Sequence, residues 1–141
     1  MKWVTRQNAH VDRIACPWLI MRFIDRDAKF LFVELSRVSK VAKEQKAIPF
    51  DVPEVELTHH GDKCSFDAII EKYAINDPAL LELAKIVRGA DTPKHHLTAQ
   101  SEGLFAIAEG FRRMTRIDHE NMERQFYVYD ALYEFCKSRV V

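Results

Sequence analysis

The sequence predicts a helix-rich α/β or α+β domain in which a small sheet of about three short strands is covered by about six helices. The chain has 141 residues, 48% of them hydrophobic, which suffices for one core spanning residues 1–141 and is too little for two full-sized domains. Short runs rich in Val, Phe and Trp are confined to the first half. From Ser65 onward, longer stretches carry apolar residues at three- and four-residue spacing, the helical signature.

Lys2 to Thr5 (KWVT) is the first strand candidate and runs into the polar loop Arg6 to His10. Asp12 is placed to cap a helix from about Arg13 to Ile24. Pro17 suits a first turn better than an interior, so the regular helix is expected to begin near Cys16. Trp18, Leu19, Phe23 and Ile24 form its apolar side. Lys29 to Val33 (KFLFV) reads as a second, largely buried strand. Ser36 to Gln45 is a charged, weakly helical surface stretch, and Ile48 to Pro53, with two prolines, is extended or loop. Leu57 to His60 is the third strand candidate, ended by Gly61. Ser65 is expected to cap a helix whose Phe66, Ile69, Ile70 and Tyr73 share one side. Three further helices follow: Pro78 to Arg88, with proline in the first turn and Gly89 as the stop, then Ser101 to Met114 and Asp118 to Lys137. Asp118 is read as the last cap, and the aromatic residues of the last helix as core.

Lys plus Arg equals Asp plus Glu at 21 each, so the net charge is zero. This argues against a dedicated nucleic-acid binder, which carries a basic excess. The charge is uneven: residues 1–50 hold ten basic and five acidic groups, and residues 51–100 hold five and nine. The basic first third is therefore where an anion is expected. No secretory leader and no apolar stretch of membrane-spanning length is visible, so the expectation is a soluble, cytoplasmic protein without a membrane partner. Cys16, Cys64 and Cys136 are odd in number and irregularly spaced, which predicts free thiols.

Two clusters carry the chemistry. The first, His10-Val-Asp12-Arg13-Ile-Ala-Cys16-Pro-Trp18, leaves a strand and enters a helix, where free backbone N–H groups and the helix dipole favour anions. Arg13 and Arg6 are the candidate oxyanion-binding residues, and Asp12 and Cys16 the candidates for proton transfer and thiol chemistry. The second, Thr58-His59-His60-Gly61-Asp62-Lys63-Cys64, again joins a strand end to a helix start. Ligands collect at the carboxyl ends of parallel strands, so the two clusters can share one crevice. His10, His59, His60 and Cys64 are then candidate ligands of one divalent transition metal, zinc or iron, with Asp62 a second candidate for proton transfer. Successive strand residues point to opposite faces, so one of His59 and His60 is expected to face the metal.

Weaker candidates are His95 and His96 in a loop, His119 with Glu123 on one helix face, and Arg88 near Asp91, where a helix stop and a turn are sufficient reasons for the residues. No Gly-rich phosphate loop, Walker lysine or GxSxG segment is present, so no nucleotide cofactor is indicated.

The segments WVTRQNAHVDRIACPWLIMRFID, FLFV, IPFDVPEVELTHHGDKCSFDAIIEKY, DPALLELAKIVRGADT and YDALYEFC together resemble the C-terminal domain of the chromate resistance protein ChrB, in order and over nearly the whole chain. The resemblance covers His10, Asp12, Arg13, Cys16, Pro17 and Trp18 in the first block and His59, His60, Asp62 and Cys64 in the second. It implies a stand-alone version of that domain, without the half associated with chromate-responsive transcription control, and brings no catalytic assignment. The leading expectation is a metal- or oxyanion-binding domain associated with chromate resistance, whose partner is a small anion or a metal ion. The alternatives are a metal- or thiol-dependent enzyme, redox chemistry on chromate included, and a structural or partner-binding domain. A homodimer is the expected assembly.

Overall fold

In the computed structural model, which describes residues 1–140, three parallel strands lie in the order β2-β1-β3. They are β1 (Lys2–Arg6), β2 (Lys29–Val33) and β3 (Ile48–Pro49). Lys2 stands opposite Lys29, and Trp3 opposite Ile48. The helices are α1 (Asp12–Phe23), α2 (Val38–Gln45, entered through a 3-10 turn at Leu35–Arg37), α3 (Ser65–Lys72), α4 (Pro78–Asp91), α5 (Ser101–Met114) and α6 (Asp118–Arg139). The class is α+β and helix-rich, as its short β runs and long helical periods predict.

The central strand divides the interior. Side chains alternate along a strand, so Trp3 enters the large core with Ile14, Trp18, Phe66 and Leu83, while Val4 enters a small cluster with Val38, Val41, Ala47 and Val52. Parallel strands need cover on both faces, and here α1 and α2 supply it. Helix α6 packs along α1 through Trp18, whose indole N–H donates to Asp130 Oδ1 at 2.7 Å. Arg22 grips the same carboxylate through Nε and Nη2 at 3.0 Å each. No helix among the described residues is long and apolar enough to cross a membrane.

Several local expectations are corrected. The third strand is Ile48–Pro49; Leu57 makes one isolated bridge to Phe50. Between them Asp51 and Glu54 adopt left-handed backbone (φ 52° and 65°), which breaks any extended run, and Pro49 is tolerated because β3 is an edge strand. Helix α1 begins at Asp12, with Val11 as its cap and Pro17 in its interior. Ile14 to Ile20 are all buried, and that packing outweighs the hydrogen bond proline forfeits. The cap of α3 is Cys64, whose N–H is accepted by Asp67 Oδ2 at 3.0 Å. Gly89 lies inside α4, because Ser101 of α5 occupies the space a side chain would need. The Ser101 hydroxyl donates to the Ile86 carbonyl at 3.0 Å, drawing the two helices together. Helix α4 thus continues to Asp91, which carries that residue to the crevice beyond the sheet.

Candidate metal centre

The loop after β1 is held from outside. Asp118, read from sequence as a helix cap, follows the Ile117 cap and accepts the N–H groups of Asn8 (3.0 Å) and Ala9 (2.8 Å). This clamp sets where α1 starts and so where Asp12 points. Asp12 is fully buried and its Oδ2 accepts the Ser65 N–H at 2.7 Å, joining the start of α1 to the start of α3. The hydroxyl of Thr5 donates to the Phe50 carbonyl at 2.6 Å, which fixes the turn at Asp51. Asp51 Oδ1 accepts the Ser65 hydroxyl at 2.6 Å, and its Oδ2 lies 3.4 Å from Arg13 Nη1. Asp91 Oδ1 accepts the Asp12 N–H at 3.2 Å. His59 closes the group: its Nε2 is 2.8 Å from Asp91 Oδ2, 3.3 Å from Asp51 Oδ1 and 3.5 Å from Asp12 Oδ2.

Four segments thus bring one donor atom each from Asp12, Asp51, His59 and Asp91 to within 4.8 Å of one another. Burial, then the charges of Asp91 and Asp51, pushes the Asp12 carboxyl well above the usual carboxylate range. Hydrogen bonds to Asp51 and Asp91 push the His59 imidazole up to about 10. Both shifts run toward proton uptake, so three aspartate carboxyl groups around one imidazole call for positive charge at the centre. Asp12 Oδ1 is buried and has no hydrogen-bond partner, an arrangement costly to leave uncompensated. Three carboxylate oxygens and one imidazole nitrogen form a hard, oxygen-rich donor set, suited to manganese, iron(II) or zinc.

The two sequence clusters meet here only in part. Asp12, expected for proton transfer, comes from the first and His59, an expected ligand, from the second, while Asp51 and Asp91 were not among the candidates. His10 and Arg13 line the adjoining cleft. His10 Nδ1 lies 2.7 Å from Glu109 Oε1, and burial followed by the Arg112 charge lowers the pKa of its ring. His60 turns away, its Nε2 2.7 Å from the Glu56 carbonyl. Asp62 is exposed beside Lys94 at 3.3 Å, and Arg6 is the exposed last residue of β1. Cys16 and Cys64 are buried, and burial raises both thiols above their ordinary range, so neither is a thiolate at neutral pH. Cys64 Sγ is 3.4 Å from Asp67 Oδ2, a carboxylate also gripped by Arg88 at 3.0 and 2.8 Å. Asp51 lay inside the Ile48 to Pro53 stretch read as extended or loop, and its one usable signal was that ligands gather where such an extended run ends. Asp91 had none once Gly89 was read as a stop.

An open cleft of about 900 Å³ rises from the carboxylate cluster. His95 and Phe105 stand in its wall with ring centroids 4.5 Å apart and planes inclined by 32°.

The comparisons with known proteins fall on the same segments. The family described as "ChrB, C-terminal domain" matches residues 3–136. Protein ChrB of Cupriavidus metallidurans is 35% identical over an alignment that covers 97% of this chain and 41% of the relative, so the chain spans less than half of that protein's length. No solved structure matches. With the domain matched nearly end to end, the chain belongs to the ChrB C-terminal domain family, a family associated with chromate resistance.

Proposed function

We propose that this chain is a metal-binding domain in which Asp12, Asp51, His59 and Asp91 hold one divalent first-row transition ion. The observation that carries the reading is the convergence of four donor atoms within 4.8 Å around a fully buried aspartate whose Oδ1 has no partner. A cation there would relieve the mutual repulsion of the carboxylates and supply the missing partner of Oδ1. His59, 41% exposed at its side chain, is the ligand able to swing as the ion enters.

The donor set makes oxygen-preferring ions, manganese and iron(II), the expected occupants, with zinc as competitor. The cleft leaves the outer side of the ion open to water or to an added ligand. An oxyanion held by Arg13 alone would face three carboxylates, whereas an anion bound through the ion would meet positive charge. The reading leaves the thiols out of the ligand set, because the donor atoms that converge within 4.8 Å are those of Asp12, Asp51, His59 and Asp91 and include no cysteine sulfur.

The test is metal content and affinity. Chelator-stripped protein is titrated with Mn²⁺, Fe²⁺ and Zn²⁺, and bound ion is counted after desalting. Near-stoichiometric binding that is lost in Asp51→Asn and Asp91→Asn, but kept in His60→Ala, Asp62→Asn and Cys64→Ser, is the expected result. Retention by the first pair, or loss in the second set while the fold is intact, would move the site elsewhere. Because each ligand must be deprotonated to bind, uptake should weaken as pH falls.

A further inference from the structure

The cleft is much larger than an ion needs. Two or three waters completing a coordination sphere occupy about 60–90 Å³ at ~30 Å³ each, against about 900 Å³ of open volume. Its walls are also of the wrong kind for a hydrated inorganic anion alone. Val52, Pro53, Pro93 and Phe105 line it together with Asp51, His59 and Asp91, and His95 lies over Phe105 as a tilted stack. Such a wall gains from contact with a flat apolar body. Arg13 also lines the cleft, so a negative group near the ion has a guanidinium within the same cleft.

Resting on the metal-binding reading, we infer that the cleft takes a small aromatic or conjugated organic anion that chelates the bound ion through two adjacent oxygens while its flat body lies against the His95–Phe105 wall. Each part of the ligand answers a part of the cleft: the oxygens the open side of the ion, the flat body the aromatic pair, the charge Arg13. An inorganic oxyanion would use the first and last of these and leave the apolar wall wet.

The probe is 4-nitrocatechol, a flat chelator whose absorption shifts when both oxygens bind a metal. Metal content is measured first, so that a protein that takes up no ion refutes the metal reading and this inference with it. On protein shown to hold the ion, the expected result is a shifted absorption that co-elutes with protein and metal through a desalting column. It should weaken about tenfold or more in both Phe105→Ala and His95→Ala, with metal content unchanged. His95 is in a partly exposed loop, so its variant keeps the test open if Phe105→Ala misfolds. Sulfate at equal concentration should not displace the probe. A metal-loaded protein that ignores the probe, binds it equally well without either ring, or gives it up to sulfate would overturn the inference and leave the metal site standing.

Discussion

Replacing Asp12 by Asn separates a binding site from a structural carboxylate. In the metal-free protein, Asp12 is buried with its carboxylate group close to those of Asp51 and Asp91, donor atoms within 4.8 Å. At neutral pH a buried carboxyl whose pKa is raised in the folded state costs stability, either as repulsion, roughly 3.5 kcal/mol per ionised pair at that distance at an effective dielectric constant of about 20, or as the uptake of a proton that relieves it. The His59 imidazolium offsets part of this. Asparagine keeps an oxygen for the Ser65 N–H, which Asp12 accepts at 2.7 Å, and adds an N–H₂ group that can donate to Asp91. The variant should therefore be more stable than wild type in chelator, by about 1–3 kcal/mol after the His59 offset. For a chain of this size that is a rise in Tm of about 3–9 °C. With a metal ion the order should reverse: an ion at a hundred times its Kd adds about 2.7 kcal/mol to a protein that binds it, and the variant has lost a charged ligand. Calorimetric melts of both proteins, in chelator and in excess Mn²⁺, provide the comparison. If Asp12→Asn is the less stable protein in chelator, or gains as much from Mn²⁺ as wild type, the account of this carboxylate is wrong.

Three other predictions concern the scaffold. Asp118→Ala removes the acceptor of the Asn8 and Ala9 N–H groups, and should lower metal affinity about tenfold or more, as loss of a supporting residue does, in a titration of the folded variant. Gly89→Ala forces a methyl group into the Ser101 side chain and should cost about 1–3 kcal/mol; pairing it with Ser101→Gly should recover much of that loss in urea melts. The carboxyl of Asp130 is held below the usual range, first by its hydrogen bonds from Arg22 and then by the one from Trp18. A carboxylate lowered in the folded state contributes stability above its unfolded pKa of about 3.9, lost as pH falls through the folded value. Asp130→Asn should thus be less stable than wild type at neutral pH, with the gap in urea midpoint narrowing below about pH 4; a gap constant across that range would remove the ion pair as its cause.

Much of the architecture was legible because it rests on local chemistry. The KFLFV run had only to be short and apolar to be a strand beside KWVT, and the helices from Pro78, Ser101 and Asp118 follow from spacing and a proline at a first turn. The errors fell where long-range packing overruled a local preference. Pro17 is a poor interior helix residue, yet it sits inside α1 because that segment is buried along most of its length. Gly89 is a good helix stop, yet α4 runs past it because α5 needs a glycine to approach.

The candidate site shows the same division. The sequence alone marked two strand-to-helix junctions and supplied Asp12 and His59, because polar groups crowd there and such junctions gather ligands. Adjacent histidines look alike in sequence, and only the tertiary structure turned His59 to the carboxylates and His60 to the Glu56 carbonyl. Only it added Asp51 and Asp91, which lie forty residues apart and acquire meaning when the turn after β3 and the end of α4 meet over Asp12. A hydrophobic period or a cap is written in neighbouring residues and can be read along the chain. A coordination shell is defined by distances between segments, which the packing of the core decides.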